Sequence, residues 1–200
     1  MDLFFGTGNQ GKLRELRRLV EGLPIRVVTA ADLGRPLPEV VEDGDTFAEN
    51  AAKKAAAFAR FAGLPALADD SGLCVHALEG APGLYSARYA GGHGDSAANN
   101  VKLLQALHGL TDERRGAFFI CALALLRRAD DPTPLIVEGR WHGRVLHAPR
   151  GAQGFGYDPL FLPHGLTLSA AELEPALKNR ISHRALALAQ LRARVAELGD

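Results

Sequence analysis

The opening stretch LFFGTGNQGKLREL restricts the fold more than any other part of the chain. "DLFF" is a short apolar run that stops at Gly6, as a buried strand does. "KLRELRRLVEGL" follows at once, with Leu13, Leu16, Leu19, Val20 and Leu23 at helical spacing. A strand that turns on glycines straight into a helix is the first half of a βα unit. The apolar "IRVV" after it supplies the next strand, so the chain begins as an α/β protein.

Later segments extend that pattern. The stretch up to Gly44, with Pro36, Pro38 and the acidic "EVVEDGD", reads as a loop. "TFAENAAKKAAAFARFAG" is a helix with Thr46 as N-cap, Glu49 completing a capping box and Gly63 as its stop. "PALADDSGLCV" reads as strand, sharp turn, strand. "GAPGLYSARYAGG" is a glycine-rich loop, and "DSAANNVKLLQALHGL" is a helix capped by Asp95 or Ser96. "GAFFICALALLR" is a long strand with a hairpin partner in "PLIVEGRWHGRVLHAP". "RGAQGFGYDPLFLP" gives a turn and a short strand, and "SHRALALAQLRARVAEL" is the closing helix. Strands and helices alternate early and antiparallel pairs come late, which predicts a mixed sheet covered by helices. No linker or internal repeat divides the 200 residues.

Charge and apolarity narrow the partners. The 23 basic and 23 acidic residues cancel, which argues against a nucleic-acid partner and leaves a small anion open. No signal sequence precedes the first strand and no apolar run reaches bilayer length, so the expectation is a cytoplasmic protein with no membrane partner. Cys74 and Cys121 sit in apolar runs without C-x-x-C spacing and read as buried thiols.

The first loop fits two templates. Gly6, Gly8 and Gly11 satisfy G-x-G-x-x-G, with Asp32 near the place of a ribose-binding acid; this reading makes the chain a nicotinamide-dependent oxidoreductase. Gly6, Gly11 and Lys12 satisfy the phosphate loop G-x-x-x-x-G-K-[ST] up to its last position, where Leu13 lacks the hydroxyl that would hold Mg²⁺. Both templates share one physical core, since amides and dipole at a helix start favour an anion. A metal bridging phosphates here must take its ligands from elsewhere. Glu42 in "VVEDGDT" and Asp69 with Asp70 in "LADDSG" offer hard oxygens. Neighbouring side chains on an extended segment point to opposite faces, so Asp69 and Asp70 cannot both serve as base. A third reading, a nucleotide sensor without catalysis, leaves these three carboxylates without a purpose.

Two late segments stand out. In "GAQGFGYDP" three glycines surround Phe155 and Tyr157, which permits close approach of a ligand and stacking of a ring on a base. In "KNRISHR", Lys178, Arg180, His183 and Arg184 gather at the start of the last helix, against its dipole, as an anionic ligand would require.

Taken in order, "TGNQGK", Glu42 with "DTFAENAAKKA", "ADDSGLCVHALEGAPGLYSARYAG", "QGFGYDP" and "KNRISHR" resemble the inosine triphosphate pyrophosphatase family, from Phe5 to about Leu191. The resemblance implies an α/β fold with a mixed twisted sheet flanked by helices. It implies a single domain over 1–200, in two lobes with the nucleotide cleft between them, assembled as a homodimer. The implied activity is hydrolysis of non-standard purine nucleoside triphosphates to monophosphate and pyrophosphate. The implied site has Thr7, Gly8, Asn9, Gln10, Gly11 and Lys12 on the triphosphate, Asp70 as general base and Ser71 touching substrate. Glu42 and Asp70 are the implied Mg²⁺ ligands, with Asp69 beside them. Phe155, Gly156, Tyr157, Asp158, Lys178, His183 and Arg184 complete the implied nucleotide pocket.

Overall fold

The computed structural model describes residues 1–92 and 94–197; the expected end of the closing helix at Leu198 and the side chain of Leu19 lie outside what is described. Its elements are β1 (Asp2–Phe5), α1 (Gln10–Leu19), β2 (Arg26–Val28), α2 (Phe47–Ala62), β3 (Ala66–Val75), α3 (Ser96–Ala106), β4 (Gly116–Leu126), β5 (Leu135–Val145), β6 (Phe161–Pro163), α4 (Pro175–Ile181) and α5 (His183–Glu197). The six strands form one sheet in the order β2-β1-β3-β4-β5-β6. β1 runs parallel to β2 and to β3, whereas β5 and β6 are antiparallel, so the sheet is mixed.

Two compact units divide the chain: residues 1–70, 121–139 and 184–200, and residues 71–120 with 140–183. In the first unit the sheet is buried on both faces. Leu3, Phe5, Leu67, Cys121, Leu123 and Val137 pack with Leu13, Leu16 and Val20 of α1 and Leu188 and Leu191 of α5. Phe4, Ala66, Ala68, Ala122 and Ala124, which alternate with them, pack with Ala51, Ala55, Phe58 and Ala59 of α2. In the second unit Leu73, Val75, Phe119, Trp141 and Val145 pack with Leu103 and Leu107 at the end of α3, and with Tyr157, Leu160 and Phe161.

Local chemistry explains most boundaries. Thr46 Oγ1 accepts from Glu49 N at 3.1 Å, and Gly63 ends α2 in the left-handed region at φ 65°. The reciprocal half of the expected capping box is shifted: Glu49 Oε2 accepts from Asp45 N at 2.8 Å, one residue before Thr46. Asp95 caps α3 by accepting from Ala98 N at 2.9 Å.

Two expectations are corrected. The turn expected at "DDSG" is absent, because β3 runs unbroken from Ala66 to Val75 with Asp69 and Asp70 buried inside it. Their charge is met by buried or partly buried cations, so the strand has no need to surface there. Lys178 and Arg180 do not open the last helix. Ser182 takes an extended conformation (ψ 161°) that ends α4, which places both residues in its last turn, where the dipole favours them.

Both cysteines are free and buried. Burial pushes the Cys74 thiol up to about 11 and the Cys121 thiol up to about 12, so both are poor nucleophiles. Among the described residues no helix is long and apolar enough to cross a membrane.

Candidate active site

The alternation of β3 sorts its two carboxylates. Asp69 shares the parity of Leu67 and faces α1 and α5; Asp70 shares the parity of Ala66 and Ala68 and faces α2. Asp69 Oδ2 therefore meets Lys12 Nζ of α1 at 2.9 Å and Arg184 Nη2 of α5 at 3.2 Å. Arg184 also pairs through Nη1 with Glu15, which lies three residues beyond Lys12 on the same face of α1. The outcome is a chain of alternating charge, buried at Arg184 and Asp69 and partly buried at its ends: Glu15, Arg184, Asp69, Lys12. Burial alone would push the Asp69 carboxyl up, but Lys12, Arg184 and Lys54 outweigh it and hold it well below the usual carboxylate range.

Asp70 has different company. Its Oδ1 lies 2.9 Å from Lys54 Nζ, which also reaches Glu42 Oε1 at 3.1 Å. Burial pushes the Asp70 carboxyl up, Lys54 pulls it down, and burial wins. Desolvation opposes the Lys54 ammonium, yet Asp70, Asp69 and Glu42 raise its pKa above the ordinary lysine value. Two carboxylates thus converge on one cation at a partly buried point. Glu42 is carried by the loop before α2, which is fixed by Lys53 Nζ on Asp43 at 2.7 Å and by Gly44 N on Asn50 Oδ1 at 2.8 Å.

The donor set suits a hard divalent ion. Mg²⁺ is commonly held by one or two carboxylates, with the remaining positions taken by substrate phosphates and water. Glu42 and Asp70 supply that number, and they already share a single positive partner. No group of three or more metal-binding side chains occurs among the described residues, so further ligands would come from substrate and solvent.

The first loop is more self-contained than expected. Asn9 caps α1, its Oδ1 accepting from Gly11 N at 2.8 Å and Lys12 N at 3.2 Å, while Thr7 Oγ1 accepts from Asn9 N at 3.0 Å. Two amides expected to point at an anion are already taken by the cap. Gly6 is fixed by packing: a Cβ there would stand 2.5 Å from the ring of Phe58. Gly8 meets nothing within 4 Å. Asp32 Oδ2 accepts from Thr29 N at 2.8 Å and Thr29 Oγ1 at 2.7 Å, a local turn that occupies the acid required by the dinucleotide reading.

A second group lies within the second unit, whose first residue is Ser71. Asp158 is buried and its Oδ2 accepts from Lys178 Nζ at 2.7 Å and Phe155 N at 2.8 Å. The Lys178 ammonium stands 5.2 Å from the centre of the Phe155 ring, within cation–π reach. Gly154 is held to glycine, with φ 79° and a hypothetical Cβ 2.1 Å from Asp158 Oδ2. Tyr157 is buried, and its hydroxyl donates to Ser86 O at 2.8 Å; burial pushes its pKa up. The Gly156 carbonyl accepts from Asn100 Nδ2 at 3.1 Å. His183 is buried against Phe119, ring centres 4.8 Å apart and nearly parallel.

Of the residues expected from sequence, Lys12, Asp69 and Arg184 are joined by ion pairs in the first unit, and Glu42 and Asp70 are joined there through Lys54. Phe155, Asp158 and Lys178 are joined in the second. Sequence reasoning missed Lys54 and Glu15. Lys54 had a signal: Asn50, Ala51, Lys54, Ala55 and Phe58 form one buried stripe of α2, and a lysine on such a stripe demands a carboxylate.

The sequence profile of the Ham1 family matches residues 3–194. A dITP/XTP pyrophosphatase of Xanthomonas oryzae pv. oryzae is 55% identical over 189 residues, 94% of each chain. One from Pseudomonas aeruginosa is 53% identical over 193 residues, 96% of each chain. Among solved structures, a HAM1 protein from Coxiella burnetii superposes with a TM-score of 0.88 at 43% identity, covering 98% of this chain and 99% of that one. The Staphylococcus aureus Ham1 protein gives 0.85 at 36% identity, with the same coverage.

Proposed function

The chain belongs to the Ham1 family, and from that premise we propose that it hydrolyses non-standard purine nucleoside triphosphates (ITP, dITP and XTP) to the monophosphate and pyrophosphate, with Mg²⁺. One observation carries the reading. β3 delivers one carboxylate to a fully compensated charge chain and the next to a two-carboxylate pole whose single cation is a lysine. That is a division between an electrostatic anchor and a reactive group.

In this reading Asp70 accepts the proton of the attacking water. A carboxylate positioned as a general base is typically worth about 10²–10⁴-fold. Asp69, kept ionised, fixes Lys12 near the start of α1, from where the lysine acts as a point charge on phosphate. Thr7 to Gln10 supply further donors, and Asn9 exchanges its cap for the anion. Glu42 and Asp70 would hold Mg²⁺, which when bound supplies Lewis-acid neutralisation of the phosphate charge. Lys54, which pairs with both carboxylates, would then be available to the same phosphates. Phe155 supplies the stacking face for the base. Arg184, shared by Asp69 and Glu15, orders the anchor.

Base choice follows from hydrogen-bond polarity. Hypoxanthine and xanthine present an acceptor at O6 and a donor at N1, whereas adenine presents the reverse. An unpaired buried polar group costs about 1–3 kcal/mol, so two mismatched edges give discrimination of roughly 10²–10⁴. The test is pyrophosphate release from a panel of nucleoside triphosphates with Mg²⁺. ITP and XTP should exceed GTP, with ATP and pyrimidine triphosphates lowest; comparable kcat/KM for ITP and ATP would refute the base reading.

A further inference from the structure

One face of the second unit carries a row of rings, from His76 just past β3 through Phe118 of β4 and His142 of β5 to His164 just past β6. His76 lies 5.6 Å from Phe118, Phe118 lies 5.5 Å from His142, and His142 lies 6.4 Å from His164, all between ring centres. The last pair is the informative one. β5 and β6 are antiparallel with Gly143 opposite Pro163, so His142 and His164 stand directly across from each other one residue further on. His164 N donates to His142 O at 3.0 Å, which extends that register to the pair itself. Gly143 lets β6 come this close, since a Cβ there would stand 2.3 Å from Leu162 O. The two backbones are therefore fixed while both imidazoles remain exposed.

We propose that His142 and His164 form a chelating site for a borderline transition cation of the Zn²⁺, Ni²⁺ or Cu²⁺ class, separate from the carboxylate pole. Imidazole nitrogen suits these ions, whereas Mg²⁺ prefers oxygen. Metal–nitrogen bonds of about 2.0–2.1 Å bring two chelating rings to roughly 5–6 Å between centres, and the observed 6.4 Å with planes 27° apart is closed by a small rotation of exposed side chains. Arg140 and Arg144 flank His142 on the same face of β5. Asp112 offsets Arg144 at 2.9 Å, and Arg140 lies over the Phe118 ring at 5.4 Å. Their charge keeps the affinity modest and the open positions of the ion free for water. A bound ion would clamp β6 to β5 and stiffen the turn at Asp158–Leu160 that leads into β6.

The test is calorimetric titration of the full, untagged chain with ZnCl₂ in excess Mg²⁺, joined to NMR of histidine ring protons with NiCl₂. One equivalent of Zn²⁺ should bind, and that equivalent should be lost in H142A and in H164A but kept in H147A, whose imidazole is occupied by Asp112. Ni²⁺ should broaden the ring protons of His142 and His164 first. No binding by the unmodified chain, or binding unchanged in H142A or in H164A, would overturn the proposal.

Discussion

The two groups of candidate site residues are built on opposite principles. In the first unit, charge does the organising: Glu15, Asp69, Asp70 and Glu42 are interleaved with Lys12, Arg184 and Lys54. In the second unit, shape does it: glycines at 154 and 156, the buried Tyr157 and the stacked His183 set the geometry, and Lys178–Asp158 is the ion pair that ties the turn to α4. The contrast teaches which substitutions should hurt chemistry, which should hurt folding, and which should do neither.

The largest effect should separate the neighbouring acids. Asp70→Asn should fold and lose at least about two orders of magnitude in turnover, because a carboxamide cannot accept the proton. Asp69→Asn should instead strip the buried Arg184 and the partly buried Lys12 of their shared carboxylate, a loss of about 3–5 kcal/mol in stability. Urea melts and initial rates on both variants measure the split. A stable Asp69→Asn that is as inactive as Asp70→Asn would erase the distinction between anchor and base.

Next comes Lys54, which occupies the carboxylate pole. Lys54→Met leaves Glu42 and Asp70 facing each other without a cation, so its Tm in metal-free buffer should fall and Mg²⁺ should restore more of it than in the unmodified protein. Equal Mg²⁺ shifts in thermal scans of both proteins would place the ion elsewhere.

The pH behaviour of the two acids should also diverge. Asp70 must be ionised to act; burial raises its pKa in the metal-free site and a Mg²⁺ held there would lower it, so the acid limb of kcat/KM should move to lower pH as Mg²⁺ is raised. The Asp69 pKa is lowered on folding, so its stabilisation is complete above the unfolded value and fades only as pH drops through the folded one. The stability gap between the unmodified protein and Asp69→Asn should thus stay constant down to about pH 4 and close below it. A gap already closing near neutrality would contradict the compensated chain.

The smallest effect belongs to the second unit. Tyr157→Phe removes one buried hydrogen bond to Ser86 O and should cost about 1 kcal/mol of stability, with KM for ITP unchanged. A large rise in KM would move Tyr157 from support to substrate contact.

Much of this was legible in the sequence where local chemistry decides the outcome. The glycine turn into α1, the Thr46 and Asp95 caps and the Gly63 stop are set by residues a few positions apart. So was the opposed facing of Asp69 and Asp70, which needs nothing beyond strand alternation. What was not legible depends on partners distant in sequence. A continuous β3 through two aspartates is readable once Lys12, Lys54 and Arg184 are known to reach them. The break at Ser182 divides a run of basic residues that looked like one cluster. Asn9 offered its own side chain to the helix start, which the glycine templates do not consider.

The most direct test of the central claim is the identity of the first products formed from ITP and Mg²⁺. If the charged pole of the first unit grips the outer phosphates as a block while Asp70 activates water toward the α-phosphorus, inosine monophosphate and pyrophosphate should appear together from the earliest time point, and ¹⁸O from labelled water should enter the monophosphate. Early orthophosphate with inosine diphosphate, or label in the pyrophosphate, would contradict that account.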